Sequence, residues 1–152
     1  MPRNGRFGFA AVNNAGSAHG LDLVGDVLDS DIDAMFATNV LGLISITQLL
    51  VKGPSYSPGN PPGQAMALIH PTDFKARNTG HVINVGSVAG RESYAGGSVY
   101  CASKAAVRAF TGSLLREVVN TPIRVTEIQP GLCHSRLLFL SLSLRHYRNG
   151  GD

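Results

Sequence analysis

Tyr100 and Lys104 lie four residues apart, thirteen residues after Ser87, in the stretch Gly86-Ser87-Val88-Ala89-Gly90 … Tyr100-Cys101-Ala102-Ser103-Lys104. A tyrosine titrates near pH 10 and is a poor base at neutral pH. A lysine one helical turn along the same face sets an ammonium near the phenolic oxygen and favours the phenolate. Lowering the tyrosine by about two pH units corresponds to roughly 2.7 kcal/mol of preference for that phenolate. Such a tyrosine can take a proton from an alcohol, or return one to a carbonyl oxygen. Ser87 follows an apolar run and can hydrogen-bond the same reacting oxygen, fixing its position. Gly86 and Gly90 would let the backbone come close to a substrate. Taken singly, the pair is an ordinary i,i+4 surface pair and the serine a turn serine. The set gains meaning from its order: Asn13-Asn14-Ala15-Gly16 upstream, Asn39 between, and Pro130-Gly131 downstream.

The elements that must position these residues follow from periodicity. Phe7–Val12 is an apolar run closed by Asn-Asn and reads as a buried strand. Asp29, Ser30 and Asp31 offer N-cap oxygens and first-turn negative charge to a helix that runs through the apolar stretch ending at Leu50. His81–Val85 is a second strand. A helix from about Val99 to Val119 follows, with Val107, Phe110, Leu114 and Val118 drawing one apolar stripe. Ile123–Ile128 alternates, is rich in β-branched residues, and is stopped by Pro130-Gly131. Strand–helix–strand–helix–strand predicts an α/β fold with a parallel sheet under helices. Each chemical motif then falls just past a strand's carboxyl end, where open α/β sheets bind ligands.

Composition sets the outer bounds. The 152 residues, 43% hydrophobic and 15% charged, fit one globular domain with a core of its own. The net charge of +3 is mild, and Arg136, Arg145, His146 and Arg148 cluster near the end without interleaved aromatics, so no nucleic-acid partner is expected. Cys101 and Cys133 have no metal-ligand spacing and are expected as reduced thiols, with no metal site. Met1–Gly8 does not resemble a signal peptide, and no apolar run is expected to reach the roughly 18 residues that cross a membrane. A cytoplasmic protein is the expectation.

Over Val12–Leu50 and Asn78–Gly131 the chain resembles the short-chain dehydrogenase/reductase family. That resemblance implies a Rossmann-like, doubly wound parallel sheet and an NADP cofactor, NAD being possible. It also implies hydride exchange with a small hydroxy acid, alcohol or carbonyl compound. Asn13, Asn14, Ala15 and Gly16 match the element that stabilises the central sheet and borders the cofactor. Ser87, Tyr100 and Lys104 match the catalytic serine, tyrosine and lysine; the lysine also bonds the nicotinamide ribose. Asn39 matches the asparagine that completes a proton relay, and Pro130 and Gly131 the turn against the nicotinamide. Gly90-Arg91-Glu92-Ser93-Tyr94 and Tyr100-Cys101-Ala102-Ser103-Lys104 look most like NADP-dependent dehydrogenases of serine, allo-threonine and 3-hydroxy acids. The family also pairs subunits through the Tyr-bearing helix and the helix before it, which implies a homo-oligomer.

Three departures shape the expected domain. The family opens with a strand, a Thr-Gly-x-x-x-Gly-x-Gly turn and a helix that receives the pyrophosphate; no such unit precedes Asn13 in these residues. The expectation is one incomplete domain over residues 1–152, lacking the amino-terminal nucleotide-binding half. Gly53–Thr72 holds five of the eight prolines and is expected to be a disordered insertion. Residues 132–152 are expected as an atypical tail without a partner strand. The alternative to an enzyme is a non-catalytic chain that docks on a full-length relative, or a piece with no function of its own.

Overall fold

The computed structural model describes residues 9–52 and 74–131, and the backbone of 142–146. The expectation for Gly53–Thr72 lies outside the described residues, as does most of 132–152. Strand β1 is Ala10–Asn13, β2 Gly80–Val85, β3 Ile123–Pro130 and β4 Leu142–His146. Helix α1 is Asp29–Phe36, a π-helix follows over Ala37–Gly42, and α2 is Leu43–Lys52. A short α3 covers Phe74–Arg77, a 3₁₀ turn Val88–Gly90, and α4 runs Ser98–Glu117.

The sheet order is β1-β2-β3-β4. The first three strands are parallel, with Asn13 beside Asn84 and Asn84 beside Glu127. That is the mixed α/β, Rossmann-like arrangement the element order predicted. β4 corrects the expectation of an unpartnered tail: Leu142–His146 lies antiparallel along Thr126–Pro130. The Leu-Ser-Leu alternation has the period of a strand, and β3 offered an edge to receive it.

One face of the sheet carries the helices. Val82, Ile123 and Val125 pack there against Val51, Phe74, Leu114 and Val118. On the opposite face Val12 is 59% exposed, and Arg124 donates to His81 Nδ1 at 2.9 Å. His81 Nε2 lies 2.8 Å from Thr126 Oγ1. Across the helical face runs a buried polar chain. Asn13 donates to Thr47 and Asn84, and Asn84 donates to Thr111, all within 3.0 Å. Thr47 and Thr111 each donate in turn to the carbonyl four residues back. The chain ties β1 and β2 to both covering helices.

Two expectations about the first long helix need correction. No side chain caps it: Leu28 occupies the N-cap position, and Asp29 and Asp31 lie inside the first turn, where their charge meets the helix dipole. The helical run Asp29–Val51 is also long and apolar enough to cross a membrane by length and mean hydropathy, although only about a third of it is buried. One side of it faces the sheet, sending Met35, Asn39, Val40, Leu43, Thr47 and Val51 inward. Asn39, Ser45 and Thr47 interrupt the apolar run without lowering its mean hydropathy below that of a spanning segment.

Candidate active site

Residues just beyond β1, β2 and β3 surround a cleft of about 510 Å³. Its walls are Asn14 and Gly16 from the first, Gly86 and Ser87 from the second, and Pro130 and Gly131 from the third; Tyr100 and Lys104 complete it. Three parallel strands ending side by side create this crevice. Its volume suits a small ligand or part of a larger one.

α4 places Tyr100 and Lys104 on one face. The Lys104 ammonium sits 5.8 Å from the centroid of the Tyr100 ring, within cation–π range. Lys104 is only 6% exposed and its Nζ donates to the Val85 carbonyl at 3.0 Å. Burial holds its ammonium below the ordinary value of 10.5, because the charged form loses hydration. The Tyr100 hydroxyl has no hydrogen-bond partner among the described residues and borders the cleft.

Ser87 has extended backbone, and its Oγ accepts from the Ala89 amide at 3.1 Å, capping the 3₁₀ turn. The hydroxyl proton remains free to donate into the cleft. Gly90 makes the turn possible for a reason the sequence reading misassigned. A Cβ there would lie 2.8 Å from the Lys104 carbonyl oxygen, so its bareness serves the contact between turn and α4, not approach to a substrate. Gly86 likewise clears the Glu127 side chain, which a Cβ would meet at 2.6 Å.

Asn39 lies in the π-helix and is 1% exposed. Its carboxamide accepts from the Ser17 amide at 2.8 Å and donates to the Ser17 carbonyl at 2.9 Å and to Ser103 Oγ at 3.0 Å. Ser103 in turn donates to the Tyr100 carbonyl at 2.8 Å. Asn39 therefore joins the loop after β1 to the helix that carries Tyr100 and Lys104. Gly16 lies between them: a Cβ there would come within 3.2 Å of Asn39 Oδ1 and 3.4 Å of Lys104 Nζ. A π-helix, which adds a residue to a turn, recurs at functional sites for such re-aiming.

Of the residues singled out from sequence, Asn14, Gly16, Ser87, Tyr100, Lys104, Pro130 and Gly131 meet at the cleft. Asn13, Ala15 and Asn39 do not line it; Asn13 points into the buried polar chain beneath. Sequence reasoning missed Ser17 and Ser103, the partners of Asn39, and Tyr94, which lines the cleft. Burial, then the neighbouring Cys101 and Tyr100, raise the Tyr94 phenol above its usual value. The Ser103 signal was available, since it stands between the tyrosine and the lysine on their helix. No group of metal-ligating residues forms among the described residues.

The sequence model of the short chain dehydrogenase family matches residues 64–139. The chain belongs to the short-chain dehydrogenase family. The match begins within the proline-rich stretch and runs past Gly131. Among relatives of this chain, the NADP-dependent 3-hydroxy acid dehydrogenase of Schizosaccharomyces pombe is 40% identical over 121 residues, 80% of this chain and 39% of the relative. The enzyme of the same name from Escherichia coli K12 is 38% identical over 121 residues and is covered to 41%. The chain thus spans about two fifths of the length of these relatives. Among solved structures, serine dehydrogenase from Escherichia coli superposes with a TM-score of 0.64 at 37% identity, over 81% of this chain and 47% of that one. The closed form of serine dehydrogenase complexed with NADP+ gives 0.67 at 37% identity, over 82% and 42%.

Proposed function

We propose that this chain carries the proton-transfer half of an NADP-dependent oxidoreductase acting on a small hydroxy acid, an alcohol or the matching carbonyl compound. The observation that carries this reading is the joint opening of Tyr100, Lys104 and Ser87 into one cleft at the ends of three parallel strands. In it Tyr100 Oη takes the alcohol proton, and Ser87 Oγ donates to the same oxygen and holds it in place. Lys104, fixed through the Val85 carbonyl, supplies positive charge beside the phenol. Asn39 holds the loop after β1 against α4, so Gly16 and Lys104 keep their spacing.

Bound NADP would accept the hydride that leaves the carbinol carbon. The residues fit its nicotinamide end: Asn14, Gly16, Pro130 and Gly131 border the cleft, and a Cβ on Gly16 would crowd Asn39 Oδ1 at 3.2 Å and Lys104 Nζ at 3.4 Å. A reducing, cytoplasmic setting suits this chemistry and the buried free thiol of Cys101. A second reading, docking on another short-chain dehydrogenase subunit, is favoured by Leu41 and Ile46, which leave 61% and 50% of their surface uncovered on the long helical run.

The test is NADP reduction followed by absorbance, using the 152-residue chain, millimolar NADP and L-serine or 3-hydroxypropanoate. Tyr100→Phe should lower the rate by at least about 100-fold, the contribution of a positioned acid–base group. A Tyr100→Phe rate within a few-fold of the parent would remove the acid–base role.

A further inference from the structure

We infer that the Tyr94 ring is a partition that limits the carbon chain the cleft accepts, shutting off an apolar cavity that would take an aliphatic substituent on the carbinol carbon. The inference rests on the alcohol-oxidising reading of the cleft. Beside the cleft lies a smaller cavity of about 40 Å³. Leu21, Val27, Met35 and Val99 give it an apolar lining, and its polar side chains are His19, Asp22 and Ser98. Ala18, Tyr94 and Tyr100 line both spaces and so form the wall between them. Ala18 has only a methyl group to offer, and Tyr100 is the proposed acid–base group. The bulk of the wall that serves no chemistry is therefore the Tyr94 ring.

The start of α4 holds that ring in place. The Gly97 amide donates to the Tyr94 carbonyl at 3.2 Å, and the Cys101 amide donates to the Gly97 carbonyl at 2.8 Å. A Cβ on Gly97 would run into the Tyr94 ring, so the ring lies directly on that backbone. Gly96 has a φ of +77°, and a Cβ there would meet the Leu21 carbonyl oxygen at 2.6 Å. The two glycines thus let the ring and the loop bearing Leu21 close over the helix that presents Tyr100. The phenol, raised above its usual value chiefly by burial, stays neutral at neutral pH and suits an apolar neighbour. Because Tyr100 lines both spaces, a substrate held at its hydroxyl sits beside the wall. A longer chain on the carbinol carbon then meets the Tyr94 ring instead of the cavity behind it.

The experiment is saturation-transfer NMR titration of the full 152-residue chain with 3-hydroxypropanoate and 3-hydroxypentanoate, probes of equal charge that differ by an ethyl group. Tyr94→Ala should shift the affinity ratio toward 3-hydroxypentanoate by about fourfold for each carbon that enters the cavity, hence about four- to fifteenfold. Tyr94→Phe keeps the ring and should leave the parent ratio unchanged. Val27→Phe added to Tyr94→Ala fills the cavity and should return the ratio to that of the parent. Circular dichroism checks that each variant folds. If Tyr94→Ala does not, Tyr94→Leu, which keeps an apolar cover on Gly97, should still give a gain of at least about twofold. A smaller change in a folded variant, a gain that survives Val27→Phe, or no contact by either probe would overturn the partition. NADP reduction is recorded alongside. An unchanged ratio with reduction intact leaves the oxidoreductase reading standing, whereas a shifted ratio without reduction leaves the partition standing and removes that reading.

Discussion

The Tyr100 hydroxyl and the Lys104 ammonium share a helix face but answer to different surroundings. Tyr100 borders the cleft with no hydrogen bond among the described residues, so Tyr100→Phe should remove chemistry and leave stability within about 0.5 kcal/mol. Lys104 is buried, and its ammonium lies below the ordinary 10.5 because the folded state strips it of water. The sign follows from proton counting. Between the lowered folded value and 10.5 the unfolded chain binds more protons than the native one, so stability rises with pH in that window. Below the folded value both states are charged and the burial cost is fully present. Lys104→Met should therefore gain stability relative to the parent at neutral pH, and that gain should shrink as pH climbs toward 10.5. Urea titrations at a series of pH values measure it, and a gap that widens toward alkaline pH would contradict the burial argument.

At the scale of elements, the site depends on how β1, β2 and the two long helical runs are held together. Asn84 is fully buried and sits at the centre of the polar chain, accepting from Asn13 and donating to Thr111. Asn84→Ala would leave two buried groups without their partner, each costing about 1–3 kcal/mol. A loss of about 2–4 kcal/mol in urea unfolding is expected, and a loss under about 1 kcal/mol would mean the chain repairs itself. The same elements show what was legible locally. α4 runs Ser98–Glu117 where the apolar stripe placed it within two residues, because packing and local period agree there. The π-helix at Ala37–Gly42 was not legible, because the extra residue in the turn is set by seating Asn39 against Ser17 and Ser103, residues distant in sequence.

For the whole molecule, the sheet's unequal faces matter most. Val12 stands 59% exposed on a strand with one neighbour among the described residues, and Leu21, Leu23 and Val24 are each more than half exposed. Parallel sheets are ordinarily covered on both faces. The twelve residues before Asn13 carry no Thr-Gly-x-x-x-Gly-x-Gly pattern of the kind that receives a pyrophosphate. The 152-residue chain is therefore expected to bind NADPH with a Kd above about 100 μM, since the proposed contacts reach the nicotinamide end alone. A fluorescence titration of soluble protein measures this, and affinity of a few micromolar would contradict it.

By itself the sequence determined the family, the parallel strands and the residue types on which the proposed proton transfer rests. These are carried by residue type and by local period: the Tyr-x-x-x-Lys spacing on a helix, β-branched alternation in strands, and glycine or proline at strand ends. Tertiary structure alone decided the rest. Only the fold assigned Asn13 to a buried scaffold and Asn14 and Gly16 to the cleft, although the three lie within four positions. It paired Leu142–His146 with β3, gave Gly90 to the Lys104 backbone, and buried Glu127 Oε1 and Gln129 Nε2 without hydrogen-bond partners among the described residues. The physical reason is common to all of them. Each depends on which surfaces meet when segments far apart in sequence close on one another, and no local spacing encodes that meeting.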